Sequence, residues 1–168
     1  MTICTTLNRI KAHHPCSEGW KELLEGLGKT RADDEPLPYE RIVAINGIAD
    51  ALWACRAEPQ YAREWRLYAV WCARQVEHLM ADRRSKDALD VAERHANGEV
   101  TDEELAAAWE AACDAACGAA WVAACGAACD DACEAAWAAA RGDASAAARD
   151  AQAARFIAVC NETEERAP

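Results

Sequence analysis

The chain has 168 residues, 52% of them apolar, which suits one domain with a sizeable core. No apolar run is long enough to span a bilayer and no charged leader followed by a hydrophobic stretch opens the chain, so cytoplasmic residence is the expectation. Net charge is −11 and unevenly placed, with 14 Lys and Arg against 16 Asp and Glu in residues 1–100 but 4 against 13 in residues 101–168; this disfavours DNA or anionic lipid as a direct ligand and favours a basic protein partner.

Every periodic segment reads as helix, and no stretch alternates apolar and polar residues as a strand would. The first helix spans Thr5 to His13, with Leu7 and Ile10 inward, and Pro15 stops it. Ser17 is the expected cap of a second helix that ends at Gly26 or Gly28, with Trp20, Leu23 and Leu24 on its apolar face. A polar loop, "GKTRADDEPLP", follows. From Pro38 a third helix runs to about Ile45, is ended or kinked at Asn46-Gly47, and resumes through Leu52 and Trp53 to Ala57.

The best-defined helix runs from Gln60 to Ala81. Tyr61, Trp65, Tyr68, Cys72, Val76 and Leu79 lie at three- and four-residue spacing, and Leu67, Val70 and Trp71 add a second apolar strip, as in the central member of a bundle. Ser85 is expected to cap the next helix, Lys86 to Ala96, which stops at Asn97-Gly98. Thr101 and Glu104 then form a capping box that opens an alanine-rich region, with Asp102, Glu103 and Glu104 suited to the positive end of the helix dipole.

In that region Trp109, Cys113, Cys117, Trp121, Cys125, Cys129, Cys133 and Trp137 fall on every fourth residue. Four residues overshoot one helical turn by about 40°, so seven such steps drift by about 280° and the stripe spirals around a straight helix. The spacing predicts a long helix from about 102 to 140, a turn at "RGD" (141–143), and a return helix from about 144 to 160. Cys113, Cys117, Cys125, Cys129 and Cys133 could share a soft ion such as Cu(I) between adjacent turns, as in thiol-rich copper-storage bundles. The simpler reading is a packing tract in which reduced cysteine acts as a small hydrophobe and tryptophan fills space between alanine faces.

No phosphate loop, zincin motif, nucleophile elbow or kinase set is present. His13, His14 and Cys16 cluster without a matching ligand pair. An enzyme site near Trp65 would need a perturbed acid or histidine there. Two features suit a protein partner: the acidic loop of Asp33, Asp34 and Glu35, and the charged residues Glu64, Arg66 and Arg74 on the aromatic-rich central helix.

The stretches "HHPCSEGWKELLEGLGKT", "DDEPLPYERIVAINGIADALWACRA", "REWRLYAVWCARQVEHLM" and "ALDVAERHANGEVTDEELAAAW", followed by an alanine/tryptophan tract, resemble immunity proteins of bacterial polymorphic toxin systems, which also occur in phage and prophage genomes. The resemblance covers roughly residues 5 to 110 by wording and the tract by character. It implies an all-helical fold and inhibition of a cognate toxin by binding.

The expectation is thus a single all-α domain over residues 1–168: a mixed-charge helical core to residue 100, an acidic alanine-rich tract over 101–160 forming a long C-terminal helical hairpin, and a short tail over 161–168. Function is read as non-enzymatic inhibition of a toxin or defence effector, a nuclease among the candidates, through an acidic helical surface. The alternative is a cytosolic thiol-rich bundle binding soft metal ions. No cofactor is expected, and a homodimer stays open.

Overall fold

A side-chain oxygen or sulfur starts most of the helices. A computed structural model describes residues 2–80, 82–115 and 146–162. Among these residues lie seven α-helices and one two-stranded pairing: α1 (Leu7–Ala12), α2 (Ser17–Gly26), α3 (Tyr39–Ala54), α4 (Ala62–Arg74), α5 (Arg83–Ala96), α6 (Asp102–Ala115) and α7 (Ala146–Glu162). The protein is therefore all-α. It divides into two compact units, Met1–Pro59 with Ser145–Pro168, and Gln60–Ala144.

In the first unit, Thr6 caps α1 by accepting the Arg9 amide on Oγ1 at 3.2 Å. The helix ends before His14, whose φ of 55° is left-handed, and Pro15. The cap of α2 is Cys16 rather than Ser17: its Sγ accepts the Gly19 amide at 3.4 Å, and Ser17 is the first helical residue. Serine is the better cap by preference, but the chain turns one residue earlier, directly after Pro15. α2 stops in a paired motif, Gly28 N–H to Glu25 O at 3.0 Å and Lys29 N–H to Leu24 O at 2.8 Å. That motif requires the left-handed φ of 67° at Gly28.

α3 carries the kink expected at Asn46-Gly47, where Gly47 takes φ 83° and ψ 176°. Close packing of α2 on α3 leaves no room at Gly26, where a Cβ would stand 2.5 Å from Ile45 Cγ2. Ile3, Leu7, Ile10, Leu23, Ile42, Leu52 and Phe156 are buried with Tyr39. The Tyr39 ring meets Phe156 of α7 edge-on at 5.7 Å, and its hydroxyl donates to Ala54 O at 3.1 Å.

No strand was expected, yet β1 (Cys4–Thr5) and β2 (Leu37–Pro38) pair antiparallel, Cys4 opposite Pro38 and Thr5 opposite Leu37. Two-residue strands are too short to leave an alternating pattern. Next to them, the Ile3 amide donates to Cys160 O at 2.9 Å and ties the N-terminal segment to α7.

In the second unit, α4 ends at Arg74, seven residues before the expected Ala81. The Gln75 and Val76 amides tighten onto Cys72 O and Ala73 O at 3.2 and 3.1 Å, and a 3₁₀ turn, Glu77–Leu79, follows. The turn brings Met80 into the core, where it is 4% exposed, with Val76 packed against the same cluster. The apolar spacing that suggested a longer helix is thus satisfied by a tighter turn.

Asp82 rather than Ser85 caps α5, accepting the Arg84 amide at 2.8 Å, while Ser85 is buried in the first turn. α5 ends as predicted, with Gly98 N–H to His95 O and Glu99 N–H to Arg94 O, both at 2.9 Å. α6 opens with the predicted capping box. The Thr101 amide donates to Glu104 Oε2 at 2.8 Å and the Glu104 amide donates to Thr101 Oγ1 at 3.2 Å. Ala88, Leu89 and Ala92 of α5, Leu105 and Ala112 of α6, and Val70 and Ala73 of α4 form one buried cluster. The expected continuation of α6 to about residue 140 lies outside the described residues, and so does most of the expected hairpin. The stretch expected as the second helix, about 144 to 160, holds α7.

Candidate functional site

The three acidic residues expected at a partner surface sit in the first unit, and two of them, Asp33 and Glu35, close on a lysine. Lys29 Nζ lies 2.7 Å from Asp33 Oδ2 and 2.7 Å from Glu35 Oε2. Asp33 also accepts the Glu35 amide at 3.2 Å, and its carbonyl accepts the Asn8 amide at 3.0 Å. Hydrogen bonds to Asp33 and Glu35 raise the Lys29 pKa, and the bond to Lys29 holds Asp33 below the ordinary aspartate value. Of the three acids, Asp33 and Glu35 are engaged locally, and Asp34 is exposed.

Glu64, Arg66 and Arg74 belong to α4 in the second unit. Glu64 is half-buried, 3.6 Å from Arg63 Nη1. Arg66 is only 6% exposed, so it belongs to the interior rather than to an open face. Arg74 is the hub of a charge cluster that joins α4 to α5: Glu77 at 3.2 Å on one nitrogen, Asp90 at 2.8 Å and Glu93 at 2.7 Å on the other. Partial desolvation works against its charge, but the hydrogen bonds to Asp90, Glu93 and Glu77 outweigh that and raise its pKa. Three carboxylates around one guanidinium leave the cluster net negative.

The cysteines of the expected soft-metal array, Cys113, Cys117, Cys125, Cys129 and Cys133, have side chains outside the described residues. Among the described residues no group of three or more His, Cys, Asp or Glu side chains could hold a metal ion. Cys16 is exposed, whereas Cys55, Cys72 and Cys160 are buried. Burial pushes the thiol of Cys72 up to about 11 and that of Cys160 up to about 12.

A further group of exposed side chains lies on α6. Asp102, Glu103, Glu104 and Glu110 are all exposed, and the helix carries no Lys or Arg. Trp109, 39% exposed, is the large apolar side chain left open among the described residues. Leu105 and Ala112 point into the core while Ala106 is exposed. On an α-helix the neighbours of position 106 are those three and four residues away, Asp102, Glu103, Trp109 and Glu110, with Cβ atoms about 5–6 Å off. An alanine methyl therefore floors a patch edged by three carboxylates and an indole. Asp102 Oδ1 lies 2.6 Å from His95 Nε2. The Glu103 carboxyl is held below the ordinary glutamate value by its own backbone N–H and then by Thr101, so it stays ionised at the positive end of the helix dipole.

The chain matches no protein-family model, no curated protein and no solved structure. Sequence reasoning took Asp102 to Glu104 as a helix start and Trp109 as the first member of a four-residue repeat. The signal that joins them is the i−4, i−3, i+3, i+4 frame around Ala106, which a search for repeats passes over.

Proposed function

We propose that the protein is a non-enzymatic inhibitor that binds a toxin or defence effector through an acidic helical surface. One observation carries the reading: among the described residues, the solvent face of α6 holds four exposed carboxylates, no basic side chain and an exposed tryptophan. Binding surfaces concentrate their energy in aromatic anchors ringed by polar groups, and an acidic rim selects and steers a basic partner. A nuclease, whose substrate-binding face must be rich in Lys and Arg, is the partner class that fits best. The reading agrees with the resemblance to immunity proteins of polymorphic toxin systems.

The test is rescue together with binding. The full chain is co-expressed with each toxin candidate encoded beside its gene, and complex formation is measured with purified proteins. The reading expects protection from one toxin and a complex weakened at high salt. Failure to protect against or bind any of them overturns it.

A further inference from the structure

The acidic face narrows to a more specific chemistry, and this inference rests on the inhibitor reading above. We infer that the patch around Ala106 is a seat for an arginine side chain of the basic partner. The four positions that surround Ala106 offer more to a guanidinium than to an ammonium. An indole face stacks on a planar, weakly hydrated cation, and carboxylates on more than one side receive its forked N–H groups. Trp109 supplies the first, and Glu110, Glu103 and Asp102 supply the second, all exposed. The exposed Ala106 methyl leaves open floor between them for the aliphatic stem. A bulkier residue at 106 would fill that floor. A lysine would gain the charge attraction but lose the stacking and the paired hydrogen bonds. Asp102 already faces His95 at 2.6 Å and Glu103 is held by its own backbone N–H and Thr101, so Glu110 is the carboxylate with most freedom to turn toward the guest.

The experiment uses the full chain and two capped peptides of equal length and net charge, one with arginine and one with lysine at the cationic positions. Binding is followed by calorimetry and by the Trp109 indole N–H resonance. At low salt the arginine peptide binds about three- to fivefold more tightly and shifts that resonance. Trp109→Ala abolishes the preference, Ala106→Leu weakens both peptides, and Glu18→Gln, an exposed acid on α2, changes neither. Equal affinity of the wild-type chain for both peptides, or an arginine preference that survives Trp109→Ala, overturns the seat. The substituted positions are exposed, so a circular dichroism spectrum that matches wild type shows whether each variant is folded. The two readings also fail separately. Arginine preference without protection against any toxin discards the inhibitor function and keeps the seat; toxin protection that is intact in Trp109→Ala keeps the inhibitor function and discards the seat.

Discussion

Arg9 reaches from the surface to a carboxylate that has no contact with water: its Nη1 lies 2.7 Å from Glu58 Oε2, with the Arg9 side chain 47% exposed and Glu58 fully buried. Such a pair is asymmetric. Removing the arginine takes a counter-ion away from a buried charge, whereas removing both charges leaves no buried charge to compensate. Arg9→Met is expected to cost about 1–3 kcal/mol, below the range for fully buried pairs because Arg9 is half in solvent. Arg9→Met with Glu58→Gln is expected to recover part of that loss. Urea denaturation of the two single variants and the double variant measures the coupling. A coupling near zero would show that the pair is screened like a surface one.

The α6 capping box offers a cleaner local test. Thr101 and Glu104 each satisfy an amide that the first turn leaves open. Thr101→Ala is expected to destabilise the second unit by about 1 kcal/mol, and Thr101→Ser by much less. Thermal melts of the two variants compare them directly. The loss concerns the start of the helix that carries the acidic face.

These signals differ in how far they could be read from the sequence. The capping box, the stop at Asn97-Gly98 and the kink at Gly47 depend on neighbouring residues and were legible. The caps at Cys16 and Asp82 were not legible, because cap preference favours the nearby Ser17 and Ser85 and takes no account of where the chain turns. The early end of α4 was hidden since Val76 and Leu79 keep an apolar three-residue spacing whether the backbone is α or 3₁₀. The engagement of Asp33 and Glu35 with Lys29, the burial of Arg66 and the joining of Arg74 to Asp90 and Glu93 depend on a folded loop or on packed helices. A charged residue's letter carries no trace of them.

Two glycines are held by different constraints and should respond differently. Gly47 has open space around its Cα but a φ of 83° and ψ of 176°, a region that L-residues avoid. Gly26 lacks the space instead, with Ile45 Cγ2 2.5 Å from where a Cβ would stand. Gly47→Ala is expected to cost about 1–3 kcal/mol through backbone strain. Gly26→Ala is expected to cost a similar amount through overpacking, about 1–3 kcal/mol. Ile45→Ala, which removes Cγ1, Cγ2 and Cδ1, should relieve the second and leave the first unchanged, which a double-variant series in urea would show.

The buried thiols set a limit on alkaline stability. Cys72 and Cys160 have their pKa values raised from the ordinary 9.0 to about 11 and about 12, chiefly by desolvation. The folded chain then holds these protons more tightly than the unfolded one. Their contribution is fully present below the unfolded value and is lost as pH climbs from about 9 toward 11–12. Stability is expected to fall over that window, and to fall less in Cys72→Ala. At pH 8 an alkylating reagent should label the exposed Cys16 promptly, and Cys72 and Cys160 only after denaturant is added. Peptide mapping of the labelled chain reads both, and labelling of Cys160 as fast as Cys16 would contradict its burial.

Arg74 separates structural charge from binding charge. It is about one-third exposed and shared by Glu77, Asp90 and Glu93, so each single contact is worth only a fraction of a kcal/mol, as for surface pairs. The three carboxylates nevertheless depend on it together, because without the guanidinium they repel one another across the α4–α5 contact. Arg74→Met is expected to cost about 1–2 kcal/mol at low ionic strength, more than an isolated surface pair. Much of that deficit should disappear in 1 M salt, where the Debye length is about 3 Å. Arg74→Lys keeps the charge but loses the fork and should fall between the two. Denaturation of the three proteins at low and high salt decides the matter. If the Arg74→Met deficit does not change with salt, the arginine acts through the packing of its stem and not as the counter-ion of the cluster.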